Sequence, residues 1–405
     1  MAEQTSYGRQ FIDEDDIEAV VSALRAPLLT GGPSIEKFED ELKVATAAPH
    51  AIACSNGTAA LHLAMLGLGI GPGDVVIVPA ISFVASANCA RFVGADVIFA
   101  DVDPETGLMT PETLETAIED ASTLFPNATL KAAITVHLNG QTENVAALVA
   151  KCQSASIVLV ADACHALGTS YGPEEKWVGC AADAICETFS FHPVKAIATG
   201  EGGAVTCRDD ELANRIALLR SHGITRRREN FRNPSDQTSG RWYYEMQELG
   251  FNYRMCDIQA ALGTSQLAKL HRFSKYRAEL FRTYTETLKD LDPWLRPIEH
   301  LPFSKPNWHL MSVKVDFDRV SVSREDVMSA LADENYGSQV HYIPIFEQPY
   351  YRDYLSGVNQ NAADRCPGAL EYYAKQLSLP LHMGVTAEDV HQITAVLQKI
   401  LKARR

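Results

Sequence analysis

Short apolar runs alternate with helix-length segments through the first half of this chain, and that alternation limits the fold more than any other feature. Runs at 51–54, 75–79, 97–100, 132–136 and 157–161 read as strands. Apolar residues recur at helical spacing over 13–24, 34–44, 58–68 and 83–93, with a loop of small residues and prolines at 26–33. Strands that alternate with helices imply a largely parallel sheet covered by helices. From about Gln259 the pattern changes to longer helices, including 260–284, and then to a second αβ region ending in a helix over 387–402. A chain of 405 residues exceeds what one hydrophobic core usually holds. Two domains are expected, residues 1–258 and residues 259–405.

In parallel sheets ligands collect beyond the carboxyl ends of the strands, so the polar residues that follow each apolar run are the candidate ligand contacts. The segment Glu187-Thr-Phe-Ser-Phe-His-Pro-Val-Lys195 runs from an apolar strand through Ser190 and His192 into a proline turn and an amine. Thr199-Gly-Glu-Gly-Gly203 then lets backbone pass close by. This suits a Schiff-base lysine, because burial lowers the pKa of an amine that must attack an aldehyde.

Asp162 follows the run 157–161 directly, with His165 on the same local turn. A carboxylate there can hold a pyridine nitrogen protonated, with His165 fixing the carboxylate from behind. The rival is a metal site, since Asp-x-x-His supplies two ligands, although no third ligand stands nearby in sequence. Ser55-Asn-Gly-Thr58 opens a helix after a strand. Its free amides suit a phosphate, and a plain N-cap by Asn56 or Thr58 explains the same residues. Phe83, at another strand exit, either stacks on a ring or belongs to the core. Five arginines lie between Arg226 and Arg241. Such a run is a solvated loop, or it lends one or two guanidinium groups to a diphosphate.

A formal net charge of −15 argues against nucleic acid and anionic lipid as partners. The first residues carry no basic region before an apolar stretch, and nine scattered cysteines form no Cys-x-x-Cys pair. A cytoplasmic protein with reduced thiols and no metal is expected.

Together, Ser55-Asn-Gly-Thr-Ala-Ala-Leu-His-Leu63, Asp162-Ala-Cys-His-Ala-Leu-Gly168, Ser190-Phe-His-Pro-Val-Lys195 and Thr199-Gly-Glu-Gly-Gly-Ala-Val205 resemble the DegT/DnrJ/EryC1/StrS sugar aminotransferases. The likeness continues through Leu249-Gly-Phe-Asn-Tyr-Arg-Met255 and Val340-His-Tyr-Ile-Pro344. It implies a fold-type-I enzyme that uses pyridoxal 5'-phosphate, with a mostly parallel seven-stranded sheet and a smaller C-terminal α/β domain. It assigns Lys195 to the Schiff base, Asp162 to the ring nitrogen and Phe83 to the ring face. Gly57, Thr58 and Ser190 would hold the phosphate, joined by Asn252 from the neighbouring subunit of a homodimer. Substrate contacts would fall on Tyr7, on Pro27, Leu28, Leu29 and Thr30, and on His341, Tyr342, Ile343 and Pro344, with Arg254 and His309 as further candidates. Several forms look most like the branch of the family that acts in pseudaminic acid synthesis. That branch implies a UDP-linked 4-keto sugar as acceptor and L-glutamate as donor, giving UDP-4-amino-4,6-dideoxy-N-acetyl-β-L-altrosamine and 2-oxoglutarate. Other nucleotide-sugar 4- or 3-aminotransferases, such as perosamine-type enzymes, stand as alternatives. So does a non-catalytic regulator that binds the same cofactor.

Overall fold

The computed structural model describes residues 5–233, 240–358 and 361–402. Helices α1 (Glu14–Arg25) and α2 (Pro33–Thr46) lead into β1 (His50–Cys54), α3 (Gly57–Gly67), β2 (Asp74–Pro79), α4 (Ala85–Phe92) and β3 (Asp96–Ala100). Then come α5 (Pro111–Leu124), β4 (Thr129–Val136), α6 (Val145–Ser154), β5 (Val158–Asp162), β6 (Cys186–Ser190), β7 (Gly203–Cys207) and α7 (Asp210–Arg220). The seven strands lie in the order β1-β7-β6-β5-β4-β2-β3. Only β7 runs against its neighbours, β1 and β6. The mostly parallel α/β sheet expected from the sequence is what the chain forms.

Side-chain alternation along each strand divides the interior into two layers. Val76 and Val78 of β2 enter a core shared with Leu61 and Met65 of α3, while Val75 and Ile77 face Leu42, Leu114 and Leu148 on the opposite side. Both faces of the sheet are therefore covered, which is why its strands read as unbroken apolar runs.

Two expectations shift. The helix expected over 83–93 begins only at Ala85, so Phe83 stays outside it. The long helix expected over 260–284 is two, α8 (Asp257–Leu267) and α9 (Leu270–Thr287). The break falls at Ala268 and Lys269, where the lysine ammonium turns to Asp13 and lies 2.8 Å from the buried Asp16 carboxylate of α1. Neither glycine nor proline marks that break, so the periodicity runs through it.

The C-terminal part builds a three-stranded antiparallel sheet, β8 (Leu295–Pro297), β9 (Met311–Val315) and β10 (Gln376–Leu379), in that order. Helices α10 (Arg324–Asp333), α11 (Pro349–Gly357), α12 (Pro367–Lys375) and α13 (Ala387–Lys402) accompany it. Leu280 of α9, Val313, Leu331 and Leu397 belong to its separate core. The chain also returns to the large sheet, since Phe346, Tyr351 and Tyr372 pack into the first core. That return carries the loop between Gln339 and Ile345 past the ends of the large sheet's strands. No helix among the described residues is long and apolar enough to cross a membrane.

Candidate active site

β5 ends at Asp162, β6 ends at Ser190, and β1 passes into α3 through Asn56. Register sets the ends of β5 and β6 side by side, because Asp162 pairs with Thr188, two residues before Ser190. The three ends open on one cavity of about 1110 Å³, large enough for a cofactor together with a substrate.

Asp162 is buried. Ser86 Oγ donates to its Oδ2 at 2.7 Å, and the Cys164 backbone N–H donates to its Oδ1 at 3.2 Å. Ser82 Oγ stands 2.6 Å behind Ser86 Oγ. The carboxylate is thereby aimed from both sides while its residue faces the cavity. His165, expected from its spacing to fix this carboxylate, does not touch it through either ring nitrogen. His165 Nδ1 accepts the Asn139 backbone N–H at 3.3 Å, and its Nε2 lies 3.2 Å from Tyr342 Oη. The same contacts remove the rival metal reading, since both imidazole nitrogens are engaged elsewhere. Among the described residues no group of three or more His, Cys, Asp or Glu is placed to hold a metal ion.

Lys195 lies on the turn after β6. Its N–H donates to the His192 carbonyl at 2.8 Å, and its own carbonyl accepts from Arg277 Nη2 at 3.1 Å. Lys195 lines the cavity, and burial pushes the pKa of its amine below that of an ordinary lysine; Cys164 and Asp162 partly oppose this. Burial pushes the Cys164 thiol well up and the imidazoles of His165 and His309 well down. His341 falls to about 3, through burial and then the Lys195 charge. Three of the histidines lining the cavity, His165, His309 and His341, are thus held neutral by burial, and the Tyr342 phenol keeps its hydrogen.

At the start of α3 the Asn56 side chain caps the helix by accepting the Ala59 N–H at 2.8 Å. The N-cap reading is thus correct, and it leaves the Gly57 and Thr58 amides of the first turn for a ligand. A Cβ at Gly57 would stand 2.8 Å from Ser190 Cβ. Glycine is needed there because the Ser190 hydroxyl approaches the helix end so closely. The residues present therefore fit pyridoxal phosphate: amides and a hydroxyl for the phosphate, a carboxylate for the ring nitrogen and an amine for the aldehyde. Phe83 completes the set, 57 % exposed and on the cavity wall, so it is not a core residue.

Tyr7, His309, His341, Tyr342 and Ile343 also line the cavity. The Tyr7 and His341 rings lie 5.0 Å apart. Pro27, Leu28, Leu29 and Thr30 do not line it within the single chain, and neither do Asn252, Arg254 or Pro344. Leu28 and Leu29 are exposed, and Asp257 ties their loop to α8 by accepting the N–H groups of Gly32 and Ser34. Asn252 is exposed and bridges to Ser221, while Pro344 is buried where the next residue, Ile345, donates to the Ala80 carbonyl at 2.9 Å. The described arginines of the 226–241 run stay outside this cavity as well; Arg226 lies over the Tyr244 ring.

Sequence reading missed Ser86, Tyr253 and Asn139. Ser86 stands one helical turn after Ser82, and Asn139-Gly140 is a turn dipeptide, so faint signals existed for both. Tyr253 lines the cavity and meets His62 Nδ1 at 3.1 Å through its hydroxyl.

Comparison with known proteins agrees with this geometry. The family model described as the DegT/DnrJ/EryC1/StrS aminotransferase family matches residues 10–398. Spore coat polysaccharide biosynthesis protein SpsC of Bacillus subtilis (strain 168) is 35% identical over 397 residues, spanning 98% of this chain and 97% of that protein. Among solved structures, Helicobacter pylori PseC, an aminotransferase involved in the biosynthesis of pseudoaminic acid, is 28% identical with a TM-score of 0.86, covering 99% of this chain and 100% of its own. The PLP form of a putative sugar aminotransferase, Spr1654 from Streptococcus pneumoniae, is 26% identical with a TM-score of 0.86 and the same coverage.

Proposed function

The chain belongs to the DegT/DnrJ/EryC1/StrS aminotransferase family, and from that premise we propose that it transfers the amino group of L-glutamate to C4 of a UDP-linked 4-keto-6-deoxy-N-acetylhexosamine. The product would be UDP-4-amino-4,6-dideoxy-N-acetyl-β-L-altrosamine, an intermediate for pseudaminic acid. Sugar aminotransferases of this family depend on pyridoxal phosphate. The observation that carries the reading is the meeting of the Lys195 amine, the Asp162 carboxylate and the amide-bearing start of α3 around one cavity. The likeness to PseC, over the full length of both chains, supports the choice of sugar.

Bound pyridoxal phosphate supplies the electron sink that lets a carbon beside the transferred nitrogen shed its proton. Asp162 would hold the ring nitrogen, and Gly57, Thr58 and Ser190 would hold the phosphate. Lys195, its pKa depressed by burial, serves as the proton carrier. It takes the proton from the α-carbon of glutamate and, in the second half-reaction, delivers one to sugar C4. The face from which it delivers sets the configuration there.

The assembly we propose is a homodimer in which Asn252 of one subunit completes the phosphate site of the other. The apolar side chains of Leu28, Leu29, Trp242 and Leu249, all exposed in the single chain, support such a contact. A boundary between the large and small domains close to residue 259 belongs to the same proposal.

The test is direct. Enzyme is incubated with L-glutamate and a panel of UDP- and dTDP-linked 4-keto and 3-keto sugars, and NMR identifies the aminated carbon. Amination at C4 of the UDP-linked sugar is expected; amination at C3, or of dTDP sugars alone, would replace this substrate with another.

A further inference from the structure

Asn139 touches neither Lys195 nor Asp162, yet it organises one wall of the cavity. It occupies the turn after β4 with φ of 61°, the left-handed region that asparagine tolerates better than most residues. Three bonds fix it. Its Oδ1 accepts the Leu310 N–H at 2.7 Å, its carbonyl accepts the His309 N–H at 3.2 Å, and its N–H donates to His165 Nδ1 at 3.3 Å. The next residue, Gly140, passes so near Asn307 that a Cβ there would stand 2.2 Å from the Asn307 carbonyl oxygen. The turn has no room to shift.

A backbone amide only donates. The lone pair of His165 Nδ1 therefore faces Asn139, and the neutral ring carries its hydrogen on Nε2. Nε2 lies 3.2 Å from Tyr342 Oη, so the imidazole donates and the phenol oxygen accepts. Tyr342 is left with one hydrogen, and His165 has no lone pair to receive it. The phenol lines the cavity, its ring 6.2 Å from that of Phe83.

We infer that Asn139 fixes His165 as a donor and thereby makes Tyr342 a dedicated hydrogen-bond donor to a proton-free substrate oxygen, a carbonyl or a carboxylate. The inference rests on the transamination proposed above and adds to it the polarity of one contact. Asn139 and His165 are positioning residues, and Tyr342 is the group that touches substrate. The titratable groups around His165 are Lys195, His309, His341 and Tyr342. Burial and the charge of Lys195 keep the ring neutral, as the contact to the Asn139 amide requires, because a charged ring would bring a hydrogen against that amide.

The test has a spectroscopic arm and a kinetic arm. In apoprotein labelled with ¹⁵N-histidine, His165 is expected to hold its hydrogen on Nε2 from about pH 6 to about pH 8. Asn139→Gly, which keeps a left-handed turn but drops the Leu310 anchor, is expected to give a mixed tautomer. The two half-reactions are then followed separately, first with L-glutamate and then with the keto sugar. Tyr342→Phe and His165→Leu should each slow one half-reaction by about 10-fold or more. Combining Asn139→Gly with Tyr342→Phe should add little to the latter alone. His165→Gln, whose amide also offers one acceptor and one donor, should stay within about 3-fold of wild type. All variants should keep the wild-type absorbance of bound pyridoxal phosphate. A loss confined to the sugar step identifies the keto oxygen as the acceptor, and one confined to the glutamate step identifies a carboxylate. Hydrogen found on Nδ1, or two unchanged half-reactions in Tyr342→Phe, overturns the inference. If the wild type aminates no keto sugar, the functional proposal fails, while the tautomer and the glutamate step still decide this one.

Discussion

Ser86 Oγ donates to Asp162 Oδ2 at 2.7 Å across 76 residues of sequence, and that contact sets where the carboxylate points. A hydrogen bond to a charged group is worth about 1.5–3 kcal/mol. Ser86→Ala should therefore weaken pyridoxal phosphate binding by roughly 10-fold or more while the protein stays folded. An absorbance titration of the apoenzyme measures this. Unchanged affinity would mean that Asp162 is held well enough by the Cys164 amide alone.

Gly57 is required by space. An added methyl would meet Ser190 Cβ at 2.8 Å and Ser190 Oγ at 3.2 Å, and overpacking of this kind costs about 1–3 kcal/mol. Gly57→Ala should push the Ser190 hydroxyl off the helix end. Affinity for pyridoxal phosphate should then fall further than affinity for pyridoxal, which lacks the phosphate. Equal losses for both ligands would show that Gly57 and Ser190 do not form the phosphate site.

Lys195→Ala should remove both turnover and the Schiff-base absorbance of the bound cofactor, leaving the fold intact by circular dichroism. Lys195→Arg should fail as completely, because a guanidinium does not give up its proton at any working pH. Amination by either variant would sink the assignment of Lys195 as proton carrier.

Lys195, Asp162 and the Ser55–Thr58 turn were legible in the sequence because each follows an apolar run that could only be a buried strand, and parallel strands deliver their next residues to one edge. Phe83 was legible as a strand exit, but whether it was core or cavity depended on a helix that starts two residues late. Tertiary contacts decided the remainder. His165 looked like a partner of Asp162 from its spacing of three, yet Asn139 and Tyr342, distant in sequence, claim both its nitrogens. At the break at Ala268 and Lys269 the lysine likewise meets Asp13, the N-cap of α1, and Asp16 within it, contacts that local periodicity does not register. Pro27 to Thr30 and Asn252 came from family likeness alone, and a single chain does not bring them to its own cavity.

His341 gives the site a measurable acid sensitivity. Its ring is buried, its Nδ1 lies 2.9 Å from Ser378 Oγ, and its pKa falls from 6.5 to about 3. Because the folded pKa lies below the unfolded one, the unfolded chain binds more protons between those values. The contribution of His341 to stability is full above pH 6.5 and is lost as pH falls towards 3. By about pH 5 the loss amounts to roughly 2 kcal/mol from this residue. His341→Gln, which has no charge to gain, should be less sensitive to acid by that amount. Urea midpoints of the two apoproteins, taken from neutral pH down to about pH 5, should converge as the pH falls. Midpoints that stay parallel would mean that His341 is already as easily protonated in the folded protein as in the unfolded chain, and that the wall beside Lys195 is wetter than its packing implies.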